Sequence, residues 1–90
     1  MDRITRANLE ALVTRINREM GAPSEPYTKG EDGRFKANIG NYHISGAYGG
    51  VALHRIVNES GAIADVFSSG HVTKRDLYNR MRAFLAARDA

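Results

Sequence analysis

Histidines stand at positions 43, 54 and 71, serines at 45, 68 and 69, and an aspartate at 65, the residue types of nucleophilic, acid–base or metal chemistry. Their spacing assembles none of these. No serine sits in a nucleophile-elbow pattern, and the carboxylates are scattered instead of paired. The strand register derived below puts His54 opposite Val66 and beside Ser45, which makes no triad. The histidine intervals match no zinc pattern, and a chain without cysteine has no thiolate ligand, redox thiol or disulfide. The expectation is a protein that is not an enzyme and that uses no metal or cofactor. Lack of cysteine fits a reducing cytoplasm.

Two glycine-containing stretches could meet an anion. Ser45-Gly46-Ala47-Tyr48-Gly49-Gly50 is neither a P-loop nor a dinucleotide fingerprint, because no lysine follows it and no helix starts there. The run from Ser68 to Arg75 is better suited, since Gly70, His71, Lys74 and Arg75 gather where a helix begins and leaves backbone N–H groups free. The 13 basic and 10 acidic residues give a net charge of +3, enough for weak attraction to nucleic acid but short of a dedicated basic arm.

These residues need elements to position them, and the 90-residue chain predicts a single domain, 1–90. Leu9, Leu12, Val13, Ile16 and Met20 recur at helical spacing over 5–20, behind a Thr5 cap and an Ile4–Leu9 staple, with Gly21 as the stop. Residues 21–33 read as a connector with a turn at Asp32-Gly33. From Phe35 the apolar period becomes two. Turns at Gly40-Asn41, Gly49-Gly50 and Asn58–Gly61 then pair Ile39 with Tyr42, Gly46 with Leu53, and Val57 with Ile63. That register gathers Phe35, Ala37, Ile39, Tyr42, Ile44, Tyr48, Val51, Leu53, Val57, Ile63 and Phe67 on one face. A second helix follows over 73–88, with a Thr73–Asp76 capping box, a Val72–Leu77 staple and a stripe of Leu77, Tyr78, Met81, Phe84 and Leu85. The predicted fold class is α+β, ordered α-β-β-β-β-α, with a four-stranded antiparallel meander and both helices on its apolar face. The other face, carrying Lys36, Asn38, His43, Ser45, Ala47, Ala52, His54, Ile56, Ala64 and Val66, is left open. A partner or a second copy of the chain could seat there as a homodimer. No apolar run reaches the roughly 20 residues needed to span a bilayer, and the amphipathic N-terminus has no leader-like apolar stretch, so a soluble, unprocessed protein is expected.

The helix, antiparallel sheet and final helix opened by Thr73-Lys74-Arg75-Asp76 resemble a double-stranded-RNA-binding domain, a family that grips phosphates with a basic pair at this point. The match departs at Leu77, where that family has alanine, and near Gly40, which lacks its Gly-Pro-x-His element. A longer similarity runs from about residue 9 to 85, through Tyr27-Thr28, Asp32-Gly33, Ile39–His43, Ala47–Val51, Leu53, Arg55, Asn58 and Thr73–Tyr78. Over that span the chain resembles a group of small, uncharacterised accessory proteins of tailed bacteriophages and prophages. The resemblance implies a bacterial host cell and brings no activity, cofactor or catalytic residue. The expected function is non-enzymatic binding of a host or phage macromolecule, using Lys74, Arg75, His71, His43, His54 and Ile56. Nucleic-acid binding through the start of the second helix, as for duplex RNA, and sequestration of a nucleotide are the alternatives.

Overall fold

The computed structural model describes residues 3–89. Helix α1, Arg6–Met20, starts where expected: the Thr5 hydroxyl accepts from the Asn8 N–H at 3.2 Å, and the Thr5 N–H donates to Asn8 Oδ1 at 2.9 Å. That reciprocal pair satisfies two donors at the helix start. The helix ends at Gly21, whose φ of +65° lets the next N–H, of Ala22, reach back to the Asn17 carbonyl. Helix α2, Lys74–Asp89, begins behind Thr73, which accepts from the Asp76 N–H at 3.1 Å.

Between the helices lie five strands. β1 (Tyr27–Lys29) and β2 (Phe35–Ala37) form a small sheet of their own, while β3 (Tyr42–Ala47), β4 (Gly50–Ile56) and β5 (Ile63–Asp65) form an antiparallel sheet in that order. The α+β class, the helix–strands–helix order and all four expected strands are present. The expected single meander is split, and β1 is an addition from the connector. Phe35–Ala37 pairs with Tyr27–Lys29 across the Asp32-Gly33 turn, not with Tyr42–Ile44 across Gly40-Asn41. Gly40 and Asn41 instead hydrogen-bond the Ile56 backbone, so they extend the β3 side of the larger sheet.

The remaining two turns also differ from expectation, with opposite consequences. The first reversal is Tyr48-Gly49, both at positive φ (+54° and +74°), so Gly46 faces Val51 and Ile44 faces Leu53. This is a shift of two residues from the expected pairing, and a shift of two leaves every side chain on its face. At the second reversal, Asn58 Oδ1 accepts from the N–H groups of Ser60 and Ala62, and the Val57 N–H donates to the Ala62 carbonyl. The loop therefore closes one residue early, and Ile56 rather than Val57 pairs with Ile63. A shift of one exchanges the faces of β5, so Ile63 joins the His54 face and Val66 the Leu53 face. Ile56 is fully buried, whereas Val57 and Ile63 are exposed, as are Phe35, Ile39 and Tyr48.

Tyr42, Ile44, Val51 and Leu53 form the apolar face of the larger sheet. Both helices pack there, contributing Leu9, Val13 and Ile16 from α1 and Leu77, Met81 and Leu85 from α2. Phe67, Phe84, Tyr78 and Val66 close the margin of this cluster. Val66 is thus another residue whose expected face is corrected. Met20, at the end of the α1 stripe, is largely exposed. Asn17 is buried within that stripe at 4% exposure. Its amide accepts from the Tyr42 N–H at 2.9 Å and donates to the Tyr42 carbonyl at 3.0 Å, as a neighbouring strand would.

Candidate functional site

The sheet face turned away from the helices collects the chemistry. His43 and His54 are cross-strand partners on β3 and β4 and therefore share a face. Ser45 and Asp65 share it too, opposite Ala52 and His54 respectively. His71 reaches the same face from 17 residues beyond His54. The chain after β5 returns along β4, where Val51 and Val72 exchange N–H···O bonds of 2.8 Å in each direction. Val72 then faces the core and its neighbour His71 the open side. The close return requires Gly50, because a Cβ there would lie 2.9 Å from the Val72 carbonyl oxygen.

All three histidines of the chain thus lie in one row, and Tyr48 extends it. The ring centroids are 6.0 Å apart for His43–His54, 5.9 Å for His54–His71 and 5.9 Å for His71–Tyr48. Each contact is edge-to-face, with interplanar angles of 82°, 72° and 72° in the same order. Asn41 Nδ2 donates to the Pro23 carbonyl, which turns Asn41 Oδ1 toward His43 Nδ1 at 3.2 Å. Nδ1 of His43 therefore carries the proton in the neutral ring. Burial lowers the pKa of His43 below the usual imidazole value, with neighbouring His54 adding to the effect and Glu10 opposing it. Burial also lowers His54, opposed by Asp65 and reinforced by His71.

Ser45 Oγ and His71 Nε2 are 3.2 Å apart, the separation of a nucleophile and its base. Among the described residues no carboxylate hydrogen-bonds the other nitrogen of His71, and the Asp65 carboxylate is engaged by the Gly70 N–H at 2.8 Å. The Ser45–His71 hydrogen bond is part-buried and ties the return segment to β3. Among the described residues no group of three or more His, Asp or Glu is placed to hold a metal ion. No helix among them is long and apolar enough to cross a membrane.

Basic residues gather at the Tyr48 end of the molecule. Arg3, Ile4, Gly49, Thr73, Lys74 and Arg75 surround a shallow depression of about 340 Å³. The start of α1, the β3–β4 turn and the start of α2 therefore meet at one end. A second depression, of about 430 Å³, runs beside β3 between α1 and the connector and has a mixed lining that includes Arg6, Glu10, Asn17, Glu25 and His43.

Of the expected binding residues, His43, His54 and His71 come together, while Lys74 and Arg75 lie beyond the Tyr48 turn with Arg3 added to them. Ile56 is corrected: it is fully buried and unavailable to a partner. Tyr48, assigned to the core by sequence, is 98% exposed and joins the row. The signal for it was present, since an aromatic directly before Gly49 in a tight turn faces away from the core when that turn takes Tyr48-Gly49. No protein-family model, curated protein or solved structure matches the chain.

Proposed function

We propose that the protein is a small, non-enzymatic binding protein of the bacteriophage or prophage accessory type, acting in the cytoplasm of a bacterial host on a host or phage macromolecule. The sheet face opposite the helices is its contact surface. One observation carries this reading: every histidine and a fully exposed tyrosine converge on that face from three separate segments, although none of them fills the core. Three half-buried histidines leading to an exposed tyrosine, none of them packed in the core, suit a binding surface. Affinity purification of the tagged protein from its host cell is expected to bring down a macromolecule that the Tyr48→Asn plus His71→Ala variant loses. A clean, partner-free preparation that turns over a substrate overturns the reading.

Duplex RNA is a second reading, favoured by Arg3 joining Lys74 and Arg75 beside the Gly49 turn. Phosphate contacts of this kind make binding fall steeply with salt. Lys74→Ala plus Arg75→Ala is expected to weaken the low-salt mobility shift of duplex RNA and reduce its salt dependence. Absence of any shift at low salt rejects it.

A further inference from the structure

Tyr48 is not explained by the fold. It occupies the first position of a two-residue β-turn at φ +54°, where the preferred residues are Asn, Asp and Gly. Left-handed backbone is unfavourable for a residue that carries a side chain. At 98% exposure the phenol ring returns nothing to the core. Strain held at an exposed position points to a use outside the fold.

What surrounds the ring indicates the use. Tyr48 is the outermost of four rings that cross the open face at intervals of about 6 Å, with His71, His54 and His43 behind it. Of the aliphatic members of this face, Ala52 and Ile56 are fully buried, and Ile63, the cross-strand partner of Ile56, is exposed. The row itself presents rings and polar groups, and the exposed aliphatic Ile63 lies two residues along β5 from Asp65. Cations stand at one end, where Gly49 shares its depression with Arg3, Lys74 and Arg75. The carboxylates near the row are Asp65, bonded to Gly70, and Glu10, which acts on His43 at the opposite end.

We propose that the four-ring row is a stacking surface for the bases of a single-stranded nucleic acid, whose backbone enters over the basic end at Arg3, Lys74 and Arg75. This rests on, and narrows, the reading that the open face meets a macromolecule. Aromatic side chains on an antiparallel sheet offer π-faces to unpaired bases, and flanking cations take the phosphates. A duplex keeps its base faces stacked within the helix, so the rings distinguish single strands from double strands where the cations do not.

The test is fluorescence anisotropy at low salt and neutral pH, using labelled oligothymidylate, labelled oligouridylate and an RNA duplex, each of roughly a dozen nucleotides per strand. One or both single strands are expected to bind more tightly than the duplex. Binding of oligouridylate alone assigns RNA, of oligothymidylate alone DNA, and of both a surface blind to the sugar. Tyr48→Asn suits the turn and removes the ring, and is expected to weaken binding about fivefold or more; Tyr48→Phe is expected to bind as the unaltered chain does. Lys74→Ala plus Arg75→Ala is expected to reduce the salt slope while leaving the Tyr48 effect in place. Three results overturn the proposal: no oligonucleotide binding at low salt, preference for the duplex, or indifference to Tyr48→Asn. If the oligonucleotides fail while Tyr48→Asn plus His71→Ala still strips a protein partner in the host-cell purification, stacking is wrong and the binding surface stands. If both fail, both readings fall.

Discussion

His43 is half-buried between the Asn41 amide and the His54 ring, and the negative charge of Glu10 on α1 favours its protonated form. His54 sits between His43 and His71, across the ladder from Asp65. Burial dominates in both, so each gives up its proton at lower pH in the folded chain than in the unfolded one. The unfolded state then holds more protons below the usual imidazole pKa of about 6.5. Stability is therefore full above that value and falls as pH drops from it toward the lower folded values. In an NMR titration the ring protons of both residues are expected to move below pH of about 6.5. The urea midpoint is expected to decline over the same window, and less so in His43→Gln. Midpoints above the usual value, or a urea midpoint that rises on acidification, would contradict this account. The sequence exposed the three histidines as residues but not as a row. His43 and His54 meet through one hairpin, whereas His71 arrives only because a backbone return beside β4 carries it there.

At the level of elements, helices and strands were legible because each carries a period, and a period survives small errors in position. Leu9, Val13 and Ile16 on α1, and Leu77, Met81 and Leu85 on α2, are buried as their spacing required. Turns carry no period and were harder to place. Gly49-Gly50 offered two glycines for one reversal, and the conformational need lay at Tyr48-Gly49. Gly50 is needed instead for close approach: its missing Cβ makes room for the backbone of His71 and Val72 at 2.9–3.1 Å. Those neighbours are backbone atoms and cannot rotate aside. Gly50→Ala is expected to push the return strand off β4, lowering stability by about 1–3 kcal/mol in urea unfolding. The same variant is expected to speed hydrogen exchange at the Val51 and Val72 amides, whose mutual bonds it disrupts. Unchanged stability together with unchanged exchange would remove this role for Gly50. The Asn58 loop shows the other limit. Its side-chain oxygen, bonding two backbone N–H groups, sets where the loop closes, and one residue of difference moved Ile63 off the core face and Val66 onto it.

For the molecule as a whole, the two-layer plan of helices on a sheet followed from the amphipathic pattern, while the division into two sheets did not. β1 has three residues, all exposed, so it left no alternating pattern to read. Its only sequence signal was the Asp32-Gly33 turn that joins it to β2. Asn17 was equally hidden, as a polar residue one step along from the apolar Ile16. Its role has a consequence for the molecule's behaviour among its own copies. β3 has β4 on one flank only, and the ladder alternation directs the backbone groups of Tyr42, Ile44 and Gly46 outward on the other. An uncapped border of this kind is a template on which identical chains can add without end. Asn17 occupies the Tyr42 position of that border and shortens what a fibril could copy. Because α1 precedes β3 in the chain, this guard has already been synthesised when the vulnerable strand emerges.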